Sequence, residues 1–486
     1  MKFIVKLFPE ITIKSKSVRI RFIKILTNNI RNILKIIDEE ISVIYTWDSV
    51  EIFFNENSKR NKICEALTRI PGIHHILEVE EKPFVTLYDI FNIVYSVYST
   101  FLEKKTFCVR VKRRGNHTFS SVEAERYIGG MLNKYIVSAN VKLRNQDFIV
   151  HIHIKNNVLI LIKSRFNGIG GFPIGTQGSV LSLISGGVDS GISSYMLMRR
   201  GCCVNFCFFR IGGLDHEIKA KQIAFYLWNR FASSHNVLFF IVDFESIIDE
   251  IVEKISDSQM GVVLKRMMLR VASKIAERHE IQSIVTGEAL GQVSSQTLHN
   301  LHVINTVSDL LILRPLISYD KEQIIKFSRE IGIEAFVRNT PEYCSVVSKK
   351  PTVKAIKSNI EREESKFDFT VLDIVFKNIR IIKINKIIQE EIKKSFDIEI
   401  ITSISVKNEI ILDIRSTDEH KNKPLSLTGI EIINIPYYNL KSKFSFLSKD
   451  KVYLLYCDSG VMSRLQALYL KEEGFNNIKI LSHLIK

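Results

Sequence analysis

The chain has 486 residues, 46% hydrophobic and 25% charged, a balance that excludes a disordered or fibrous protein and leaves room for about three domains. Its formal net charge of +16 points to a polyanionic partner, most often nucleic acid, although a composition drifted toward Ile, Lys and Asn gives the same charge with no partner. Seven cysteines, an odd number in a long chain, exclude a secreted disulfide framework.

From the N-terminus, Lys2–Leu7 is a predicted strand. Met1–Phe8, interrupted by Lys2 and Lys6, is too short for a signal-peptide core, and no apolar run is long enough to span a bilayer. A cytoplasmic protein with no membrane partner is expected. Val18–Ile36 places Ile23, Leu26, Ile30, Ile33 and Leu34 on one helical stripe, with Arg19, Arg21, Lys24, Arg31 and Lys35 on the other face. Ile41–Tyr45 and Glu51–Phe54 follow as strands, and Pro71-Gly72 closes the unit. A second α+β unit has a strand at Phe107–Val111 that runs into Lys112-Arg113-Arg114, a helix at Ser121–Tyr135, and strands at Val150–Ile154 and Val158–Lys163. Lys and Arg neutralise phosphates without reading sequence, so Arg19, Arg21, Lys24, Lys112, Arg113 and Arg114 are candidate RNA contacts. They also fit a solvated charged face.

Gly168–Gly175 is the clearest linker. Beyond it, strands near 180–184, 203–209, 237–243 and 282–286 are separated by helices near 190–200, 216–231 and 260–279. That alternation predicts a parallel, doubly wound sheet. From Lys349 to about Ile404 the chain turns charged and helical, the end of that domain plus a connector. A last α/β unit has strands at 409–414, 431–435 and 451–456 and a helix at 463–473.

Ser185-Gly186-Gly187-Val188-Asp189-Ser190 joins the apolar run Val180–Ile184 to a helical pattern. Glycines let backbone N–H groups approach an anion, and the helix N-terminus adds its positive end. Ser185 and Ser190 can donate to phosphate oxygens. Asp189 would repel phosphate unless a divalent cation lies between them, which makes it a candidate Mg²⁺ ligand. No Lys-Ser/Thr follows, which excludes the ordinary P-loop. A plain turn with two glycines and a capping Asp is the simpler reading. Thr286-Gly287-Glu288, after Ser283-Ile284-Val285, would face the same cleft, and equally fits a helix N-cap.

Cys457 lies where the strand Val452–Tyr456 meets a helix that starts at Ser463. Loop N–H groups, the helix dipole and Arg464 would stabilise its thiolate, as a nucleophile needs; a buried structural cysteine is the alternative. Cys344 lies in a loop, and a lone cysteine is usually a small hydrophobe. Cys64 and Cys108 sit in apolar patterns. Cys202, Cys203 and Cys207 lack CxxC spacing, and His74-His75 and His151/His153 lack a third ligand. No metal site beyond Mg²⁺ and no prosthetic group is expected.

Ser185–Ser190 resembles the SGGxDS signature of PP-loop ATP pyrophosphatases, which cleave ATP between the α and β phosphates. The Cys457–Arg464 loop, with Asp413-Ile414-Arg415-Ser416 upstream, looks like a rhodanese domain, whose cysteine carries sulfur as a persulfide. Residues from about 61 to 165 look like a THUMP RNA-binding domain. With Lys2–Ser15, Thr68–His75 and Gly287–Thr297, the set resembles the long form of the tRNA 4-thiouridine synthetase family (ThiI). A lone SGGxDS would fit many ligases; the four-domain set is specific.

The resemblance implies a multidomain α/β and α+β chain. Its parts are a ferredoxin-like domain at 1–60, a THUMP domain at 61–165, a Gly-rich linker at 166–176, a doubly wound PP-loop domain at 177–385, a connector at 386–404 and a rhodanese-like α/β domain at 405–483. It implies ATP held by Leu183, Ile184, Ser185, Gly186, Gly187, Ser190, Phe208, Phe209, Lys265, Gly287, Gln296 and Lys321, with Asp189 on Mg²⁺. It implies adenylation of uridine 8 of tRNA, a Cys457 persulfide loaded by a cysteine desulfurase, and Cys344 closing a disulfide with Cys457. It also implies a homodimer and sulfur delivery to a ThiS-type carrier protein for thiamine thiazole. Asp458-Ser459 departs from the family, where an acidic residue is followed by a basic one, and should weaken thiolate stabilisation at Cys457. Three rivals stand beside this reading. One is a PP-loop enzyme thiolating another RNA position, the second a persulfide relay with an idle nucleotide site. The third is a non-catalytic tRNA-binding protein, against which the intact SGGxDS and both cysteines argue.

Overall fold

The computed structural model describes residues 1–211, 214–337, 350–387, 398–401, 409–415, 417–425, 427, 430–458 and 460–482. They form two compact units, Met1–Pro173 and Ile174–Lys486. Among the described residues, no helix is long and apolar enough to cross a membrane.

The first unit is built on one eight-stranded sheet. Its strands are β1 (Lys2–Leu7), β2 (Ser42–Tyr45), β3 (Ser49–Phe53), β4 (Ile73–Pro83), β5 (Thr106–Arg114), β6 (Asn140–Val141), β7 (Phe148–Lys155) and β8 (Val158–Asn167), in the order β2-β3-β1-β4-β8-β7-β5-β6. The helices Lys16–Leu34 and Arg60–Thr68 bury Ile23, Leu26, Ile30, Ile63 and Leu67 against Phe3, Val5 and Ile52. The apolar stripe foreseen on the first of these helices is its buried face. The helices Leu87–Leu102 and Ser121–Tyr135 cover a second core around Val109, Ile128, Ile152 and Leu161. Both start at capping boxes, Thr86 with Asp89 and Ser120 with Glu123, which satisfy the first orphan N–H groups. The long strand β4 pairs with β1 on one side and β8 on the other, so one sheet serves both cores. Gly168 and Gly170 donate their N–H groups to the carbonyls of His74 and Ile73, each at 2.8 Å, and Phe172 is buried in the first core.

In the second unit, β9 (Ser179–Leu183), β10 (Cys203–Arg210), β11 (Leu238–Asp243), β12 (Ser283–Val285), β13 (Leu311–Leu313) and β14 (Arg380–Lys383) form a sheet in the order β13-β12-β9-β10-β11-β14. All pairs are parallel except β11 with β14. Helices on both faces leave the middle strands as apolar runs such as Phe239–Val242, all buried. The strand β14 was not foreseen in the charged stretch after Lys349. Only Ile382 of its four residues is buried, so its strand character comes from pairing with β11 and not from a local pattern.

A third sheet comprises β15 (Ile400–Ile401), β16 (Glu409–Asp413), β17 (Ile432–Asn434), β18 (Val452–Tyr456) and β19 (Ile478–Leu481), in the order β15-β19-β18-β16-β17 and parallel throughout. In both parallel sheets the strand order reverses once. The reversals lie between β9 and β12 in the first and between β16 and β18 in the second. Open α/β sheets place ligands at the carboxyl ends of strands at such points.

Candidate active site

The loops after β9 and β12 enclose a cavity of about 630 Å³, a size suited to a small-molecule ligand. Ser185, Gly187, Val188, Asp189 and Ser190 line it from the first loop. Gly186 turns at φ +71°, a left-handed conformation that costs glycine nothing. Gly187 caps the helix Val188–Arg199. The Ser190 hydroxyl accepts the Ser185 N–H at 3.2 Å and donates to the Gly187 carbonyl at 3.2 Å, which knots the loop. The free end of the helix thus faces the cavity with its unsatisfied N–H groups. His216 supports the loop from behind. Burial pushes its imidazole below the usual range, and Nε2 donates to the Ser185 carbonyl at 2.7 Å.

The Asp189 carboxylate accepts from Gln292 Nε2 at 2.8 Å and meets Lys321 Nζ at 3.4 Å. Lys321 opens the helix Lys321–Ile331. Beneath the cavity Glu288 is buried. Burial alone would raise its carboxyl, but Lys265 Nζ at 2.7 Å and Arg314 Nε at 2.8 Å outweigh it and hold the pKa at about 2. Glu288 is therefore a fixed anion that holds Lys265, which lines the cavity, and Arg314. Leu183, Phe209, Ile211, Leu264, Met268 and Ile304 form an apolar wall. Gln296 also lines the cavity, and its Oε1 is buried without a hydrogen-bond partner among the described residues. An orphaned buried acceptor is costly until a donor meets it.

At the second switch point Cys457 follows β18 and is 5% exposed. Its sulfur accepts the Ser463 N–H at 3.3 Å, at the start of the helix Val461–Glu472, and lies 3.4 Å from Ser463 Oγ. Asp413, at the end of β16, is buried. Burial would raise its carboxyl, but hydrogen bonds from Arg415 and His420 hold it below the usual range. Arg415 bridges Asp413 at 2.6 Å and Asp458 at 3.3 Å. Asp458 also accepts from the Tyr456 hydroxyl at 3.1 Å and lies 3.8 Å from Lys423. Arg415 and Lys423 thus both meet the Asp458 carboxylate, while the contacts of the Cys457 sulfur are with Ser463.

The first unit carries basic residues on the face of its sheet that the helices leave open. The registers pair Lys6 with His75, Leu77 with Arg165, Arg110 with His151 and Lys112 with His153. Burial first, and then the neighbouring cations, push the imidazoles of His75 and His153 down to about 4. These histidines are neutral at physiological pH, and the permanent charge of the face comes from Lys6, Arg110, Lys112 and Arg165.

Three family models match the chain. One described as thiamine biosynthesis protein (ThiI) covers residues 175–369, the THUMP domain covers 85–162, and the ThiI ferredoxin-like domain covers 2–76. The tRNA sulfurtransferases of Escherichia coli K12 and Shigella flexneri are each 60% identical over 480 residues, 99% of this chain and 99% of the relative. The chain belongs to the tRNA sulfurtransferase (ThiI) family. A crystal structure of a 4-thiouridine synthetase–RNA complex with bound ATP matches with TM-score 0.69 and 25% identity, covering 79% of this chain and 99% of that one. PH1313 from Pyrococcus horikoshii matches at TM-score 0.50 and 20% identity, over 68% of this chain and 100% of that one, a likeness of fold alone.

In this ThiI chain, Leu183, Ile184, Ser185, Gly187, Asp189, Ser190, Phe209, Lys265, Gly287, Gln296 and Lys321 line one cavity. Gly186 faces Lys219 and Ala220 behind the loop. Phe208 does not line the cavity: it is fully buried with its ring 4.7 Å from that of His216, because successive strand residues point to opposite faces and the side chain of Phe209 takes the cleft side. Gln292, Arg314 and His216 were missed, since each acts through a contact that no local motif marks, whereas Glu288, expected at the cleft with Thr286 and Gly287, lines it. Cys344 lies outside the described residues, as does Ser459. Of the foreseen RNA contacts, Arg21, Lys24, Lys112 and Arg114 are exposed. Arg19 donates to the Thr12 carbonyl at 3.3 Å, and Arg113 lies 3.0 Å from His117 Nδ1. Among the described residues no group of three or more His, Cys, Asp or Glu is placed to hold a metal ion. A lone Asp189 carboxylate fits Mg²⁺, which takes one or two carboxylates and completes its shell with substrate phosphates and water.

Gly287 is where the β12 loop meets the phosphate loop. A Cβ there would lie 2.6 Å from Ser190 N and 2.7 Å from the Asp189 carbonyl carbon, both backbone atoms that cannot swing aside. Gly287→Ala should therefore push the two loops apart, weaken ATP binding about tenfold or more, and destabilise the fold by about 1–3 kcal/mol. Nucleotide titration and thermal melting check this; an unchanged ATP affinity would show that the approach does not matter for binding.

Proposed function

We propose that this chain transfers persulfide sulfur to uridine 8 of tRNA in an ATP-dependent reaction that yields 4-thiouridine. The observation that carries the reading is the pair of switch-point sites in one unit, an anion-binding loop with Asp189 in one sheet and a loop-cradled Cys457 in the other. The relatives named tRNA sulfurtransferase and the RNA- and ATP-bound neighbour support it.

The apolar wall takes the adenine, and Gln296 Oε1 offers the base an acceptor. The phosphate loop takes the triphosphate with its N–H groups. Asp189 would hold Mg²⁺, which neutralises charge on the phosphates. Lys321 stands where charge builds on the departing pyrophosphate. The uridine C4 oxygen attacks the α-phosphorus and pyrophosphate leaves. A cysteine desulfurase loads Cys457 with sulfane sulfur. The terminal persulfide sulfur attacks C4 and AMP leaves, so Cys457 and C4 are joined through two sulfurs. The Cys344 thiolate attacks Cys457 Sγ, a Cys344–Cys457 disulfide forms, and the outer sulfur stays on C4. Two electrons from an external thiol reductant reset the enzyme. The same persulfide would serve a ThiS-type carrier protein in thiamine thiazole synthesis. A cytoplasmic homodimer is the expected form.

The test incubates the protein with unmodified tRNA, ATP-Mg²⁺, cysteine and a desulfurase, and follows the near-UV absorbance of 4-thiouridine. Product that forms equally well without ATP rules out the adenylation step. If the basic surfaces of the first unit carry tRNA, affinity should fall about 100-fold or more between ~50 and ~200 mM salt, because neutralised phosphates release counterions. A flat salt response would remove those surfaces from the binding site.

A further inference from the structure

Phe336 lies in the short helix Glu334–Val337, buried between two tyrosines. Its ring centroid is 5.0 Å from that of Tyr226 and 4.6 Å from that of Tyr437. Tyr226 belongs to the helix Leu214–Leu227, and its hydroxyl donates to the Ile331 carbonyl at 2.9 Å, which ties that helix to the end of Lys321–Ile331. Both helices reach the nucleotide cavity, one through His216 on the Ser185 carbonyl and the other through Lys321 on Asp189.

Tyr437 lies beside the other parallel sheet. It opens the helix Tyr437–Phe444, and its N–H donates to the Ile414 carbonyl at 2.8 Å. The Ile414 N–H donates in turn to the carbonyl of Tyr456, the residue before Cys457, at 3.0 Å. Tyr437 therefore stands on the carboxyl edge that carries Cys457, and this is the edge seated on Phe336. The helix Val461–Glu472, which starts just after the Cys457 loop, packs on Leu214–Leu227.

We propose that the Phe336–Tyr437 contact is a docking latch that seats the Cys457 edge against the ATP-cleft domain for sulfur handover. The proposal rests on the sulfur-transfer reading above. Phe336 and Tyr437 are positioning residues that touch neither substrate nor the reacting sulfur. An aromatic pair gives a preferred geometry, and domains within one chain move relative to each other unless a large apolar interface holds them. The docked domain can thus leave to be reloaded and return in register. Nucleotide activation needs only the cleft, and persulfide loading needs only the Cys457 loop. Handover alone needs the latch.

The test is Tyr437→Ala in the full chain, with three readouts. These are pyrophosphate release with tRNA and ATP-Mg²⁺, sulfane sulfur on Cys457 after incubation with desulfurase and cysteine, and single-turnover 4-thiouridine formation by preloaded enzyme. The first two should stay within about twofold of the unsubstituted chain, while the third slows about tenfold or more, the cost of losing alignment of reacting groups. Tyr437→Phe, which keeps the ring, should restore the third. Phe336→Leu, which keeps apolar volume without the ring, should reproduce the split and carries the test if Tyr437→Ala does not fold. An unchanged single-turnover rate overturns the latch, and so does a parallel fall of all three readouts. A latch failure leaves the unsubstituted chain active; if that chain itself makes no 4-thiouridine, the underlying reading falls and the latch with it.

Discussion

Cys457→Ser is expected to abolish 4-thiouridine formation, by about 10³-fold or more, while pyrophosphate release in the presence of tRNA, the mark of the adenylation step, continues. A serine hydroxyl accepts the Ser463 N–H as the sulfur does at 3.3 Å, so the loop and the helix start keep their partner and the domain stays folded. What is lost is the only atom there that can carry sulfane sulfur. The nucleotide cavity lies at the carboxyl edge of a different sheet, and none of its lining residues belongs to the Cys457 loop. The two half-reactions should therefore separate cleanly. Near-UV absorbance reports the thiolated base and a pyrophosphate assay reports adenylation. Thiolation that persists above about 1% of the original rate would mean that another thiol carries the sulfur.

Asp189→Ala should show the complementary loss. Pyrophosphate release and thiolation should both fall about 10³-fold, while a desulfurase still loads Cys457. Asp189 sits in the first turn of the helix Val188–Arg199, between Gln292 at 2.8 Å and Lys321 at 3.4 Å. Its removal takes away the carboxylate of the glycine loop and leaves the Lys321 ammonium without that contact. Both side chains are partly solvated, so the melting temperature should move little, which separates a chemical defect from unfolding. Asp189→Asn keeps a group that can bond Gln292 but not the charge. If charge on the phosphates is the point, Asn should be nearly as damaging as Ala; recovery of most activity would assign Asp189 a purely structural role.

Much of the architecture was legible in the chain. The helix Ser121–Tyr135 begins and ends at its foreseen residues because Ser120 and Glu123 form a capping box. The strands β9, β10, β11 and β18 lie within a residue or so of their foreseen ranges, as continuous apolar runs bounded by turns allow. The short strands β14, β15 and β19 were not foreseen. They take strand form by pairing with β11 or with each other's neighbours, which two to four residues cannot announce.

The site divides the same way. Gly186, Asp189, Gly287 and Cys457 were visible because glycine at a turn, a carboxylate at a helix start and a thiol at a strand end are local chemistry, written in a few consecutive residues. Local residues also determined that there are anion-binding and thiol loops at all. They could not determine which loops share a cavity. Phe208 and Phe209 are indistinguishable in the chain until the strand's alternation is set against the cleft. Glu288 becomes the counter-ion of Lys265 and Arg314, and Gly287 a close contact of Ser190, only when β12 pairs beside β9. Likewise Lys6, His75, Arg110, Lys112, His151, His153 and Arg165 become one face only through strand registers. Tertiary structure decided these because hydrogen-bonded pairing of β-strands joins residues a hundred positions apart, and electrostatic and steric contacts act over a few ångströms of space, not along the chain.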